Sequence, residues 1–228
     1  MNKFEKSLEK LNIHLNEKQM FQFMKYYEML IAKNEVMNLT AITEYDEVVD
    51  KHFIDSLSLI QAIDLNQPLK VIDVGTGAGF PGIPLKIAFP QLKIVLLDSL
   101  NKRINFLNRV IETLELTDVE TIHGRAEDFG RNPQYREQFD LCVSRAVANL
   151  STLSEYCVPF IQVGGHFIPY KSGKVQDELE VSRRAVTLLG GHIADCLSYS
   201  LADTDMERTL VIIEKINPTK KAYPRKAG

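Results

Sequence analysis

A run of glycines constrains this chain more than any other feature. Asp73-Val-Gly75-Thr-Gly77-Ala-Gly79-Phe-Pro-Gly82 follows an apolar stretch at residues 69–74 and leads into a helical pattern that starts near Pro81. Four glycines so closely spaced let a backbone turn tightly and approach a ligand, and Pro81 and Pro84 suit the opening turn of a helix. A strand that turns at once into a helix is the first unit of a parallel sheet. The alternation continues, with strand-like runs at 69–74, 92–98, 119–123, 139–144 and 165–170. Helical patterns fill the gaps at 84–89, 101–116, 153–163 and 175–189. Helices between parallel strands must cover both faces of the sheet. Residues 193–200 and 209–216 are joined only by a polar loop and therefore pair antiparallel. The expected fold class is α/β: a doubly wound, mostly parallel seven-stranded sheet closed by a C-terminal antiparallel hairpin.

Residues 1–66 read as a helical extension. Asn16 can cap a helix whose apolar residues Met20, Met24, Tyr27 and Ile31 recur at helical spacing, widened by Phe23 and Leu30. Val48, Val49, Phe53, Leu57 and Ile60 repeat the pattern before Asn66-Gln-Pro68 breaks it. The expected division is 1–66 helical extension, 67–216 core domain and 217–228 basic tail. Charge follows it: the extension has net charge −4, the core −3, and the tail +4 from Lys220, Lys221, Arg225 and Lys226.

The whole chain of 228 residues is 45% hydrophobic and 25% charged, with a net charge of −3, which excludes a disordered or fibrous protein. It also argues against indiscriminate coating of nucleic acid. The N-terminus lacks a signal-peptide core, and the longest apolar stretches fall far short of the ~20 residues that span a bilayer. Cys142, Cys157 and Cys196 are odd in number and widely spaced, as in a reducing compartment. No metal-ligand spacing links His14, His52, His123, His166 and His192. A cytoplasmic protein without metal or membrane is expected; Asn38-Leu39-Thr40 is then a chance glycosylation triplet.

Which ligand the loop takes depends on frame and charge. Gly77-x-Gly79-x-x-Gly82 matches the dinucleotide fingerprint formally, but the strand ends before Gly75 and the in-frame glycines lack a third. A phosphate-binding P-loop fails because Ile83 follows Gly82. Asp73 puts a carboxylate beside Gly75, Gly77 and Gly79, where it repels a diphosphate and attracts the ammonium and sulfonium of S-adenosylmethionine. Asp98, 23 residues after Gly75, can accept ribose hydroxyls, or it caps the next helix. Gly124-Arg-Ala126-Glu127-Asp128 after the third strand can meet an adenine edge, or it is a surface turn. A methyltransferase of a small molecule or protein, a dinucleotide oxidoreductase and a noncatalytic nucleotide-binding module remain alternatives on this pattern.

Several segments together resemble the bacterial RsmG (GidB) family of 16S rRNA guanine-N7 methyltransferases. They are Asn38-Leu-Thr-Ala-Ile42, Lys51-His-Phe-Ile-Asp-Ser-Leu57, the Asp73–Pro84 loop, Leu97-Asp-Ser-Leu-Asn-Lys-Arg103, Gly124-Arg-Ala-Glu-Asp128, Ser144-Arg-Ala146 and Tyr223-Pro-Arg-Lys-Ala-Gly228. The resemblance implies a Rossmann-like class I methyltransferase with S-adenosylmethionine contacts at Gly75, Phe80, Ala126, Glu127 and Arg145. Its partner would be 16S rRNA or a small-subunit ribosomal particle, met by a monomer. Two departures stand out: Ser172 intervenes between Lys171 and Gly173, and Gly228 ends a tail that family members continue.

Guanine N7 carries a free in-plane lone pair, so its methylation needs no base. Accordingly the Asn/Asp-Pro-Pro-aromatic motif of amine methylation is replaced by Ser144-Arg-Ala-Val147. Arg145 can orient guanine O6 or the donor's carboxylate, with a structural salt bridge as the alternative. Lys220, Lys221, Tyr223, Arg225 and Lys226 combine phosphate neutralisation with a ring able to stack, and Lys102 and Arg103 extend the patch. Lys51, His52 and Asp55 share a helix, where an ion pair and a packed histidine are favoured over a part in closing the site.

Overall fold

The computed structural model describes residues 2–37, 39–145, 148–173, 175–201 and 206–226, with only the backbone of residues 35–37. Two helices open the chain, α1 (Lys3–Lys10) and α2 (Glu17–Met37). Asn2 and Glu5 cap α1 reciprocally, each side chain accepting the other's backbone N–H. That Asn-x-x-Glu signature went unread in the sequence. The inward face of α2 is Phe23, Tyr26 and Leu30, all fully buried. Met24, expected on that stripe, is 44% exposed, because the buried face is centred about one residue further round the helix.

The second helical run is not uniform. α3 (Tyr45–Val48) widens into a π-helical turn over Val49–Ile54, returns as α4 (Asp55–Leu57) and tightens into a 3₁₀ turn at Ser58–Gln61. π-turns of this kind are rare and cluster at functional sites.

From there strands and helices alternate: β1 (Lys70–Val74), α5 (Gly82–Ala88), β2 (Lys93–Asp98), α6 (Asn101–Thr113), β3 (Val119–His123), α7 (Ala126–Phe129) and β4 (Phe139–Arg145). Then come α8 (Leu150–Cys157), β5 (Ile161–Ser172), α9 (Gln176–Leu188), β6 (Gly191–Ser200) and β7 (Glu207–Lys215). They form one seven-stranded sheet in the order β3-β2-β1-β4-β5-β7-β6. β1 to β5 run parallel, whereas β7 pairs antiparallel with both β5 and β6. The expected α/β class, parallel sheet and closing hairpin are therefore what the chain adopts.

One boundary moves. The helix expected over 153–163 starts at Leu150, capped by Asn149, and ends at Cys157. Val158–Phe160 makes a 3₁₀ turn around Pro159, and Ile161 already pairs with Phe139. The β4–β5 register shifts between Phe139 and Leu141, and Gly164 adopts φ +90° inside the extra length of β5. Pro159 cannot donate a helical hydrogen bond, so α8 stops before it.

Both faces of the sheet are buried, as a parallel sheet requires. Val71, Ile94, Leu96, Leu141 and Val143 point to one side, into a cluster with Phe4, Phe23, Tyr26 and Phe53 of the N-terminal helices and Ile83 and Leu107 of α5 and α6. Ile72, Val95, Leu97 and Cys142 alternate to the other side, against α8 and α9. The sheet's switch point lies between β1 and β4, where chain order reverses, and ligands bind beyond the strand ends at such a point.

Candidate active site

The glycine loop is strapped to the neighbouring strand: the N–H groups of Gly75 and Thr76 both donate to the Leu97 carbonyl, at 2.9 and 3.1 Å. Gly77 has φ +64° with open space where a Cβ would stand, so the loop presents bare backbone there. At Gly79, φ +108°, a Cβ would strike Ile83, the Tyr26 hydroxyl and Leu107 within 3 Å. That glycine serves close packing of the loop on α2 and α6.

Two carboxylates hold the loop from beneath. Asp73 is fully buried; its Oδ2 accepts the Thr76 hydroxyl at 2.7 Å and the Gly82 N–H at 2.9 Å, while its Oδ1 has no partner among the described residues. Burial raises its pKa to about 6, against the lowering effect of those two hydrogen bonds. Asp98 Oδ2 accepts the Gly77 N–H at 2.9 Å and Arg103 Nη1 at 3.3 Å, and Oδ1 accepts the Leu100 N–H at 2.9 Å. A carboxylate offers about four acceptor positions, so Asp98 braces the loop and the start of α6 and keeps one position spare.

A crevice of about 590 Å³ opens at the C-terminal ends of β1, β2 and β3, lined by Gly75, Leu97, Asp98, Leu100, Gly124, Ala126, Glu127 and Tyr156 among others. Gly75, Asp98, Ala126 and Glu127 thus meet as the sequence anticipates, with Ala126 and Glu127 opening the short helix α7 rather than a bare turn. Asp73, Gly77, Gly79 and Phe80 stand behind or beside this wall. Asp98, Glu127 and Asp128 outnumber Arg125 in the lining, so the wall suits a cationic nucleoside better than a diphosphate, and the residues present fit S-adenosylmethionine.

Arg145 ends β4 and reaches a second cavity, of about 350 Å³, at the tips of β4 and β5. Its Nη1 donates to the Lys51 carbonyl at 3.1 Å and to Asp55 Oδ2 at 2.9 Å, and Nη2 lies 3.1 Å from His52 Nδ1. The guanidinium sits 5.0 Å from the centroid of the Phe80 ring, on which His52 stacks at 4.5 Å. His52 Nδ1 lies 3.1 Å from the Lys51 carbonyl as well as from Arg145, and Nε2 lies 2.8 Å from Thr40 Oγ1, so the ring is held from both edges. Desolvation and the neighbouring Arg145 lower the His52 pKa to about 3. Buried Asp55 also accepts the Tyr199 hydroxyl at 2.9 Å and faces Arg208 Nε at 3.5 Å.

Of the favoured reading, the packed histidine is found, with His52 stacked on Phe80, but the Lys51–Asp55 surface pair needs correcting. Lys51 pairs with Glu47, while Asp55 and His52 turn inward to Arg145. Asp55 follows the π-turn of Val49–Ile54 and is buried, within reach of Arg145 at the end of β4, whereas Lys51 has Glu47 one turn back. Tyr170, Lys171 and Arg208 complete the cavity without having been assigned to a site, since they come from strands 25 or more residues downstream of Arg145.

The basic residues are distributed unequally. Lys102 is exposed, and Arg103 is partly engaged by Asp98. The tail is docked, not loose. Arg136 donates to the carbonyls of Gly130, Thr219, Lys220 and Tyr223, and Arg131 to that of Pro224. Arg225 is held bidentately by Glu155, and Tyr223 packs half-buried against the core, which leaves Lys220, Lys221 and Lys226 exposed. Asn38, Ala146, Val147, Ala227 and Gly228 of the segments quoted above lie outside the described residues. All three cysteines are free, with Cys142 and Cys157 buried. Among the described residues no helix is long and apolar enough to cross a membrane, and no cluster of three His, Cys, Asp or Glu is placed to hold a metal.

Solved structures with this architecture are distant in sequence and speak to the fold alone. A putative methyltransferase from Haloferax volcanii, solved with the Trm112 activator, aligns with a TM-score of 0.61 at 14% identity over 82% of this chain and 98% of its own. TYW2 of M. jannaschii, solved in complex with AdoMet, gives 0.52 at 16% identity over 66% of this chain and 71% of its own. Sequence relatives are much nearer. "Ribosomal RNA small subunit methyltransferase G" of Lachnoclostridium phytofermentans is 55% identical over 99% of this chain and 93% of its own length. The protein of the same name from Staphylococcus saprophyticus is 51% identical over 95% and 90%. The family model for GidB, rRNA small subunit methyltransferase G, matches residues 19–206. With that match and these relatives, the chain belongs to the rRNA small subunit methyltransferase G family, enzymes that methylate 16S rRNA with S-adenosylmethionine.

Proposed function

We propose that the acceptor atom is guanine N7 and that the methyl group passes to it in line, with no general base. The single observation that carries this reading is the state of the second cavity, where the groups able to take a proton are disabled or engaged. His52, with its pKa near 3, is too weak a base. Asp55 is committed to Arg145, Tyr199 and Arg208. Burial and Asp55 raise the Tyr199 pKa, so its hydroxyl stays protonated. An acceptor that had to lose a proton would find nowhere to put it, whereas N7 needs only orientation and the exclusion of water.

S-Adenosylmethionine supplies an electrophilic methyl group on a sulfonium. In this reading Gly75, Asp98, Ala126 and Glu127 hold its nucleoside part in the crevice, with the loop braced by Asp73. Arg145 works between the two cavities. Three of its five N–H groups are taken by Lys51, Asp55 and His52, leaving Nε–H and one Nη2–H among the described residues. That fork suits guanine O6 or the donor's carboxylate and leaves the N7 lone pair clear. Lys220, Lys221 and Lys226, with Lys102, face rRNA phosphates. The enzyme works in the cytoplasm as a monomer on 16S rRNA or a small-subunit particle.

The test is methyl transfer from labelled donor to small-subunit rRNA taken from cells lacking the gene, followed by nucleoside mapping. Label in 7-methylguanosine is expected; label in another nucleoside would refute the N7 assignment. Arg145→Ala should lower kcat/KM about 10²–10³-fold. Arg145→Lys should restore little, because an ammonium cannot reproduce the fork. Near-wild-type turnover in either variant would remove Arg145 from the site.

A further inference from the structure

Between α2 and α6, apart from both cavities described above, lies a pocket of about 210 Å³ lined by Lys33, Lys102, Asn105, Phe106 and Arg109. We propose that it is a phosphate-binding site for the rRNA strand that flanks the target nucleotide; the proposal rests on the rRNA substrate reading. Positions 102, 105, 106 and 109 fall at i, i+3, i+4 and i+7 and share one stripe of α6. Lys102, Asn105 and Arg109 are exposed along it, Phe106 is buried beneath them, and Lys33 closes the pocket from α2.

Charge is what singles the pocket out. No carboxylate lines it, and neither Lys33, Lys102 nor Arg109 makes an ion pair among the described residues. Other cations that line a cavity or hold the tail are matched, Arg145 with Asp55, Lys171 with Glu178 and Arg225 with Glu155, while Lys220, Lys221 and Lys226 stand exposed on the docked tail. What distinguishes this pocket is that three cations without a carboxylate between them line it, in a chain with more acids than bases. They repel one another in the protein alone, and a phosphodiester supplies the missing charge.

Placement agrees with charge. Leu100 lines the donor crevice and Lys102 follows two residues later, at the start of the stripe. Arg109 lies about 13 Å further along the helix from Leu100, at 1.5 Å per residue. An RNA strand laid along α6 therefore has its backbone gripped beside the crevice that holds the methyl donor.

The test is the full-length double variant Lys33→Gln with Arg109→Gln, compared with a control at Lys93→Gln on the exposed start of β2, at the opposite end of the sheet from the crevice. Binding of a labelled small-subunit rRNA fragment is followed by anisotropy across potassium chloride from about 50 to about 300 mM, and donor affinity by calorimetry. The double variant should bind RNA at least tenfold more weakly at low salt, with the log–log salt slope shallower by about 1–2. The KM for RNA should rise while kcat and donor affinity stay as in wild type. Unchanged RNA affinity and slope, in an enzyme whose wild type methylates rRNA, would overturn the pocket and leave the function standing. So would an equal loss in the Lys93 control, which would mean bulk charge only. A wild type that takes up S-adenosylmethionine but methylates no rRNA would sink the function reading itself.

Discussion

His52 is where single-residue chemistry is easiest to read out. Its pKa falls from the ordinary 6.5 to about 3, chiefly by desolvation and then by the charge of Arg145. A histidine whose folded pKa is depressed takes its proton more readily in the unfolded chain. Its contribution to stability is therefore complete above pH 6.5 and is lost as pH falls toward 3, with a slope of up to about 1.4 kcal/mol per pH unit. Urea unfolding of wild type and His52→Gln between pH 7 and 4 should show the two stabilities converging as pH falls, with a shallower decline in the variant. Parallel curves would mean that His52 titrates normally. How much of this was legible in sequence depended on range. Asp73 and Asp98 sit at strand ends beside the glycines, so their places were legible, but their hydrogen bonds to the Gly82 and Gly77 N–H groups, which brace the loop, were not. The partners of Arg145 lie about 90 residues upstream, and the π-turn that aims them leaves no periodic trace.

At the scale of elements, the parallel strands were legible because they are buried on both faces and so read as unbroken apolar runs, while the helices between them keep a 3.6-residue period. The C-terminal segment was misleading for the opposite reason. Lys220, Lys221, Arg225 and Lys226 read as a free basic arm, yet the backbone beneath them is clamped by Arg136, through carbonyl groups that no sequence pattern marks. Buried Lys215 adds to the clamp: its ammonium donates to Thr219 Oγ1 and to the carbonyls of Val158 and Ile161, and it pairs with Glu137 at 3.1 Å. Arg136→Ala strips four carbonyls of a charged donor, and charge-assisted hydrogen bonds contribute about 1.5–3 kcal/mol each at most. A loss of about 2–4 kcal/mol is expected, together with faster proteolysis after residue 217. Thermal melting and limited trypsin digestion check both, and a variant as stable and as protease-resistant as wild type would contradict the clamp. Deleting the tail outright would disturb the core through Lys215 and so would be a poor probe of RNA contact.

At the scale of the whole molecule, residues 1–66 form one wall of the core. Phe4, Phe23, Tyr26, Leu30, Val49, Phe53 and Leu57 are buried against the same sheet face as Val71, Leu96, Leu141 and Val143. Polar ties cross the same seam: Tyr26 donates to the Ala78 carbonyl at 2.6 Å, Gln22 to Leu114 at 2.7 Å, and Tyr170 to Ser56 at 2.6 Å. Each large apolar side chain buried there contributes about 1.5–3 kcal/mol, so the seven together contribute about 10–20 kcal/mol, as much as the 5–15 kcal/mol by which a whole domain is stable. The fragment 67–228 should therefore fail to fold cooperatively, although it holds every strand and the whole glycine loop. The full chain should melt in one transition with calorimetric and van't Hoff enthalpies equal. Two resolved transitions, or a fragment that binds S-adenosylmethionine with wild-type affinity, would make the extension a separable unit. The dependence has a chemical consequence: Phe80, between the donor loop and Arg145, rests on Tyr26, His52 and Phe53, so the helices that complete the core also set the distance between the two cavities.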